Sequence, residues 1–156
     1  MPLPPFQSAL DAHRATVARF LVASVGPQEA DDVLQETLIA ALRAYPRLRA
    51  GSNVRAWMLT IARNKALDAH RARSRRPVPA GDVELGVLVA RAGRVARGAE
   101  LWDAVRELPP KQRAAVVLRY VNDLSHREIA AVLDCSEAAA RRSLHEGLTK
   151  LREEWT

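Results

Sequence analysis

The sequence predicts an all-α protein made of two small helical domains. Apolar residues make up 48% of the 156 residues but aromatic residues only 4%. A core built mainly from Ala, Leu and Val favours helices over a β-sandwich. Apolar residues recur at helical spacing along most of the chain, and Pro and Gly interrupt this spacing at intervals. These interruptions divide the pattern into successive helices.

The first predicted domain, residues 1–76, begins with two amphipathic helices. Gly26 and Pro27 end the first helix, and Pro27 suits the first turn of the second because its missing N–H is unpaired there anyway. Pro46 stops the second helix. The predicted apolar stripes are Phe6, Leu10, Val17, Leu21 and Val25 on the first helix, and Leu34, Leu38, Leu42 and Tyr45 on the second.

A basic loop over residues 47–53 precedes a third predicted helix. This helix turns Val54, Trp57, Ile61 and Ala62 inward and runs through four arginines to Arg76, where Pro77 and Pro79 follow. Trp57 is expected to be a core residue, since an aromatic ring at helical spacing is more often packed than exposed. Residues 77–98 are rich in Pro, Gly and small residues and are predicted to be an interdomain linker.

The second predicted domain, residues 99–156, opens with two short helices. Leu101, Val105 and Leu108 mark one, and Pro109 and Pro110 start the next. That next helix carries Ala115, Leu118 and Val121 and ends at a turn formed by Asn122 and Asp123.

A helix-turn-helix follows. Ser125 and Glu128 form a capping box at the start of a short helix. After a break at Asp134 and Cys135, Ser136 caps a final helix. A helix, a three-residue turn and a second helix match the plan of a helix-turn-helix. The predicted buried stripe of the final helix is Ala140, Leu144, Leu148, Leu151 and Trp155.

Charge and composition exclude several classes of protein. The net charge is +6 for residues 1–76, +1 for residues 77–98 and −1 for residues 99–156, so a polyanion would favour the first domain. Cys135 is the single cysteine, which rules out an internal disulfide, and the four histidines show no zinc spacing. We find no signal peptide, membrane span, nucleophile–base pair or phosphate loop. The expectation is a cytoplasmic, non-enzymatic protein without metal or cofactor.

Three sets of residues could contact partners. Arg141, Arg142 and His145 lie opposite the buried stripe of the final helix, where arginines can reach guanine edges or phosphates. The basic stretch 55–76 could lie along a DNA backbone. Asp32, Gln35 and Glu36 could bind a basic protein surface, or could simply place acidic groups near a helix N-terminus.

Taken together, the segments resemble the sigma-70 superfamily of RNA polymerase sigma factors, specifically its extracytoplasmic-function group, which keeps regions 2 and 4. The resemblance covers nearly the whole chain outside the linker, and several motifs in family order are more specific than any one. The motifs are DVLQET at residues 32–37, WMLTIARN at residues 57–64, LPPKQR at residues 108–113, LRY at residues 118–120 and LSHREIA at residues 124–130.

The resemblance implies a role for each set of residues. Asp32, Gln35 and Glu36 would dock on the β′ clamp of core RNA polymerase. The second domain would read the −35 promoter element and contact the β flap, and an anti-sigma factor is an expected partner. The implied −10 and backbone contacts are Arg49, Ser52, Asn53, Arg55, Arg63, Asn64 and Arg71, and the implied −35 contacts are Ser136, Arg141, Arg142 and His145.

Two departures from the family pattern lie on the final helix. Ala138–Ala140 stands where the family usually has Gly-Thr-Val, and Glu146 stands where a basic residue is common. They predict weak autonomous −35 binding, an altered sequence preference, or a region 4 used for protein contacts. They favour one alternative hypothesis, a sigma-like module that binds polymerase or an anti-sigma factor without directing initiation. A second alternative is a free-standing repressor or activator with an unrelated helical N-terminal domain, against which the patch from Asp32 to Glu36 argues.

Overall fold

The computed structural model describes residues 2–75 and 95–154, with side chains in the second range from Gly98. These residues contain seven α-helices and no strand. We call α1–α3 the first half and α4–α7 the second half. The helices are α1 (Phe6–Val25), α2 (Pro27–Ala44), α3 (Val54–Arg75), α4 (Val95–Glu107), α5 (Pro110–Tyr120), α6 (His126–Leu133) and α7 (Glu137–Glu154), with a 3-10 turn at Tyr45–Arg47. The all-α prediction is confirmed.

The first half is a three-helix unit in which each helix packs against the other two. Phe20, Leu21, Met58 and Leu59 are among its most deeply buried side chains. The predicted boundary between α1 and α2 is confirmed: Gly26 has a φ of +92°, which an L side chain rarely adopts, and Pro27 occupies the first turn of α2.

Two of the predicted apolar stripes contain an error. Leu42 is 55% exposed and Leu101 is 39% exposed, so neither belongs to the core. On α2 the small side chain of Ala41 is fully buried instead, and Thr37 is buried beside it. Thr37 can be buried because its Oγ1 donates a hydrogen bond to the Val33 carbonyl over 2.8 Å. The buried face of α2 is thus rotated by about one residue from the leucine stripe.

Trp57 lies at the edge of the core. Its side chain is partly buried against the core, and its ring centroid is 6.0 Å from that of Tyr45. The Tyr45 ring in turn contacts Phe6 edge-on at 5.2 Å. The prediction that Trp57 packs against the core is therefore confirmed, although its ring is only partly buried. Ile61 is only half-buried.

The helix-turn-helix in the second half is confirmed. Ser125 Oγ accepts from the Glu128 N–H and Glu128 Oε2 accepts from the Ser125 N–H, which completes the predicted capping box. Asp134 ends α6 in the left-handed region at φ +53°. Ser136 Oγ then accepts from the Ala139 N–H at the start of α7.

A glycine allows α7 to approach α5 closely. Gly147 is buried, and a Cβ built on it would lie 3.0 Å from Cγ2 of Val116. Any larger residue would push the two helices apart or displace Val116.

Several predictions concern residues outside the described ranges: the end of the third helix at Arg76, Pro77 and Pro79, most of the predicted linker, and Trp155. Helix α4 begins at Val95, so the last residues of the segment predicted as linker are helical. The two halves also pack on each other, with α1 against α4 and α5, and α3 against α6.

Candidate nucleic-acid and protein interfaces

The outer face of α2 combines carboxylates, an amide and exposed apolar side chains. Asp32, Gln35 and Glu36 are all exposed, as the sequence predicts for a docking patch. Ile39 lies one turn beyond Gln35, and Leu42 lies one turn beyond Leu38. Both side chains are about half exposed. Exposed apolar groups beside carboxylates suit a protein partner with a basic and apolar surface. Sequence reasoning missed Ile39 and assigned Leu42 to the core.

The loop between α2 and α3 has its own internal hydrogen bonds. The Ser52 N–H donates to the Arg49 carbonyl over 3.2 Å, and Gly51 takes a positive φ of +82°. Asn53 Oδ1 accepts from the Ala56 N–H over 3.1 Å, so this side chain caps the start of α3. The Arg49 side chain is exposed. Of these predicted DNA contacts, Arg49 is free to reach a ligand, whereas Asn53 also has a structural role.

Helix α3 presents its predicted DNA contacts in two different environments. Asn64 and Arg71 are exposed. Arg55 and Arg63 are half-buried between the two halves of the chain. Nη2 of Arg55 donates to the Asn122 carbonyl over 3.2 Å, and Arg63 lines a crevice together with Ser24 and Arg113. The structure therefore does not bring all four residues onto one open surface.

The predicted recognition face of α7 is open. Arg141, Arg142 and His145 are exposed on one side of the helix. Nη2 of Arg141 is 2.9 Å from Glu137 Oε1, which ties one of the two arginines to an acidic neighbour on the same helix. Among the described residues Arg142 makes no ion pair. Of these two arginines, Arg142 is thus the more available for a base or a phosphate.

Glu146, a departure from the family pattern, is held by a neighbouring helix. Gln112 Nε2 donates to Glu146 Oε2 over 3.2 Å, which links α5 to α7. This contact gives the carboxylate a structural partner at a position where a basic residue would face DNA.

Basic groups accumulate where the two halves meet. Arg113 is 8% exposed, and its Nη1 donates to the carbonyls of Arg106 and Leu108 at the end of α4. Burial lowers the pKa of Arg113, the nearby Glu107 raises it and the like charge of Arg63 lowers it further. His70 Nε2 donates to the Ser24 carbonyl over 2.7 Å, because a carbonyl can only accept.

Acidification is expected to destabilise the protein through His70. Burial lowers the pKa of His70 below its ordinary value of 6.5, and Arg113 and Arg73 act in the same direction, against the Ser24 hydrogen bond and Glu29. Below pH 6.5 the unfolded chain therefore binds more protons at His70 than the folded chain does. The stability present above that pH is lost as the pH falls from 6.5 through the folded-state pKa. Urea unfolding at about pH 7.5 and about pH 5.5 measures this loss.

The matched variant is His70→Gln, which keeps an amide donor for Ser24. It should show a smaller loss on acidification than the wild type. His13, whose pKa is also lowered, by burial and by Arg55, should account for part of the remainder, which His13→Gln removes. An unchanged pH dependence in both variants would contradict this assignment.

Two further features bear on the expectations from the sequence. No group of three or more His, Cys, Asp or Glu side chains that could hold a metal ion occurs in the described part of the chain. Within residues 2–75 and 95–154, none of the helices has the length and apolar character needed to cross a bilayer.

Comparison with known proteins identifies both halves. The family described as Sigma-70 region 2 matches residues 9–76, and the family described as Sigma-70, region 4 matches residues 98–151. The ECF RNA polymerase sigma factor SigD of Mycobacterium tuberculosis is 36% identical over 163 residues, covering 95% of this chain and 76% of SigD. The RNA polymerase sigma factor CarQ of Myxococcus xanthus is 33% identical, covering 95% of this chain and 87% of CarQ.

Solved structures share the fold. CnrH in complex with the cytosolic domain of CnrY superposes with a TM-score of 0.72 at 24% identity, covering 96% of this chain and 86% of CnrH. RpoE of Bartonella quintana, in complex with the anti-sigma factor NepR, gives 0.70 at 22% identity over 95% of this chain and 94% of RpoE. With sequence relatives this similar over nearly its whole length, the chain belongs to the extracytoplasmic-function sigma factors of RNA polymerase, which direct promoter recognition.

Proposed function

We propose that the chain divides promoter recognition between two domains, residues 1–76 and 99–156, joined by a linker over residues 77–98. The first domain would dock on core polymerase and hold the −10 element, and the second would read the −35 element and contact the β flap. The observation that carries this proposal is the match of region 2 and region 4 families, in that order, to residues 9–76 and 98–151. Catalysis would come from polymerase, so the protein would perform no chemistry of its own. It would act in the cytoplasm.

The α2 patch is the proposed polymerase contact. Asp32, Gln35 and Glu36 supply acidic and amide groups for the β′ clamp, and exposed Ile39 and Leu42 add an apolar area. Apolar anchors beside charged groups are typical of the energetic centre of a protein interface.

The proposed −10 contacts lie in the loop between α2 and α3 and on α3 itself. Loop residues Arg49, Ser52 and Asn53 would surround an unstacked base. Unstacking a base costs a few kcal/mol per step, so the strand must be held by several contacts. On α3, exposed Asn64 and Arg71 would contact the DNA backbone directly, and half-buried Arg55 and Arg63 would join them where the second half leaves them accessible.

The proposed −35 contacts lie on the open face of α7. Arg142 and Arg141 would reach base edges or phosphates beside His145, while Ser136 fixes the start of the helix through its cap. N-terminal residues of the second helix of a helix-turn-helix are the ones that face the major groove.

An anti-sigma factor is the proposed regulatory partner. RpoE of Bartonella quintana was solved in complex with the anti-sigma factor NepR. We infer that this chain has a comparable inhibitor. Co-purification at native expression tests the inference, and absence of any inhibitor under non-inducing conditions would count against it.

Run-off transcription with purified core polymerase and a genomic promoter library tests the proposed function. The double variant Gln35→Ala, Glu36→Ala should lose the specific starts that the wild type produces. The matched control is Gln7→Ala, Asp11→Ala, which removes an exposed amide and carboxylate from α1 that bond to each other over 3.0 Å. This control should retain the starts.

The competing hypothesis is the sigma-like module that binds polymerase without directing initiation. Glu146 and the Ala138–Ala140 run favour it, because a hydroxyl and a positive charge are missing from the recognition face. Binding of the wild type to core polymerase with no specific start from any promoter would establish that alternative and exclude the proposed function.

A further inference from the structure

A narrow crevice lies between α1, α3 and the start of α5. Its walls include apolar Phe20, Ala66 and Ala114 and polar Ser24, Arg63 and Arg113. The crevice has a volume of about 10 Å³, which is the space of one water molecule or an ion of similar size. The turn after α5 is fixed to α1 by Asn122, whose Nδ2 donates to the Thr16 carbonyl over 2.9 Å. The crevice is thus a small space between connected walls.

Two guanidinium groups from different helices face this crevice. Arg63 is half-buried on α3, and Arg113 is 8% exposed on α5. None of the ion pairs among the described residues includes either group. The like charge of Arg63 lowers the pKa of Arg113, so the two cations are close enough to repel each other. Buried charges in proteins are normally paired, so an anion between these two groups would be strongly stabilising.

The other charges around the crevice leave it basic. Glu107 raises the pKa of Arg113, but Glu107 is exposed to water, which screens its charge. Glu29 is already 3.7 Å from Arg73. His70 lies near Arg113 and adds a further positive charge when it is protonated. The N-terminal turn of α5 contributes the partial positive charge of a helix N-terminus.

Ser24 supplies a buried hydroxyl that no group in the described part of the chain pairs. The residue is 2% exposed, and its Oγ has no hydrogen-bond partner. The hydroxyls of Thr37 and Thr60 on other helices each donate to the carbonyl four residues earlier. Ser24 does not make that bond and lines the crevice instead. Because an unpaired buried hydroxyl costs free energy, an acceptor is expected beside it.

We propose that the crevice binds one small monatomic anion, chloride, between the guanidinium groups of Arg63 and Arg113, with the Ser24 hydroxyl donating to it. Chloride accepts hydrogen bonds and carries the negative charge that the two arginines need. A water molecule could pair the hydroxyl but would leave the like charges opposed, and a tetrahedral oxyanion exceeds the space. Since the site joins α1, α3 and α5, bound chloride stabilises the folded chain by mass action.

Ser24→Ala tests the site through stability. With gluconate as the anion and no chloride, the variant should be at least as stable as the wild type, because it loses only an unpaired hydroxyl. In chloride at equal ionic strength, the wild type should become the more stable of the two. The ratio of their unfolding constants should change about tenfold between the salts, the effect of one hydrogen bond to an ion. Urea unfolding followed by circular dichroism measures it.

Ser74→Ala is the matched control for this comparison. Its hydroxyl is exposed, and Oγ already donates to the His70 carbonyl over 3.0 Å. The stability difference between this variant and the wild type should be the same in both salts. Sulfate should act like gluconate on Ser24→Ala, because the crevice is too small for it.

Line broadening of the chloride NMR signal measures binding directly. Arg63→Gln and Arg71→Gln each remove one positive charge from α3, but Arg63 lines the crevice, whereas Arg71 is exposed. The wild type should broaden the signal. The apparent affinity should fall about tenfold or more in Arg63→Gln, which loses a charge-assisted hydrogen bond, and should hardly change in Arg71→Gln.

Three results would overturn the proposal. Equal broadening by the wild type and Arg63→Gln would place any bound chloride elsewhere. An unchanged order of stability of Ser24→Ala and the wild type in the two salts would mean that water fills the crevice. An effect of sulfate equal to that of chloride would contradict a monatomic site. Each measurement uses the full chain without polymerase or DNA, so the outcome is independent of the proposed function.

Discussion

Replacing Arg142 with alanine is expected to lower transcription from promoters with a −35 element by about 10- to 100-fold, the effect of losing one good bidentate base contact. Arg142 is exposed on the proposed recognition face and, among the described residues, makes no ion pair. Run-off transcription on paired templates with an intact and a scrambled −35 sequence measures the loss. The variant should transcribe the two templates almost equally.

Arg141 offers an internal comparison. Because Glu137 holds its guanidinium at 2.9 Å, Arg141→Ala should cost less than Arg142→Ala, and Glu137→Gln should strengthen −35 binding by freeing Arg141. Lys150→Ala is the control, since it removes one exposed positive charge further along α7. Equal losses in Arg142→Ala and Lys150→Ala would mean that Arg142 acts only through its positive charge and makes no specific base contact.

Replacing Leu59 with alanine is expected to reduce the free energy of unfolding by about 2–5 kcal/mol. Leu59 is fully buried on α3 in the centre of the first half. Removing its side chain forfeits the transfer free energy and leaves a cavity that rigid neighbouring helices fill only in part. Urea unfolding followed by circular dichroism measures the change, which is a large share of the stability of a small protein.

Leu42→Ala is the matched control for this substitution. It removes the same atoms from a position that is 55% exposed, and should alter stability by less than about 0.5 kcal/mol. Since Leu42 belongs to the α2 patch, the same variant should instead weaken binding to core polymerase. A destabilisation equal to that of Leu59→Ala would contradict the burial assigned to these two residues.

Local signals account for the features that the sequence predicted well. A capping box is a relation between Ser125 and Glu128 within a single helical turn, so its geometry depends little on the rest of the fold. The same holds for Gly26, where a chain reversal needs a positive φ. The order of helices followed directly from such start and stop signals.

Contacts between distant segments could not be predicted in this way. Leu42 and Leu101 fit helical stripes, yet which side of a helix is buried depends on the partner helix, and at α2 that partner accepts Ala41 and Thr37. The bond from Asn122 to Thr16 joins residues more than a hundred positions apart. Nothing in the neighbourhood of either residue indicates it.

For the candidate site, the exposure of some residues could be predicted from the sequence, but the hydrogen bonds of others could not. The structure confirms the exposure of Asp32, Gln35 and Glu36. Sequence reasoning did not reveal that Asn53 caps a helix or that Arg55 is engaged by the second half. Both depend on hydrogen bonds that form only once the chain has folded.

The contact at Gly147 bears on how specificity could change over time. Since α7 rests on Val116 and Gln112 through a position without a side chain, its distance from α5 depends on this buried contact. A methyl group added there would require Val116 or α7 to shift by a few tenths of an ångström, and any movement of α7 would carry all its proposed base contacts with it. Promoter preference in this protein could thus change through a substitution in its interior. A comparison limited to residues that contact DNA would not detect such a change.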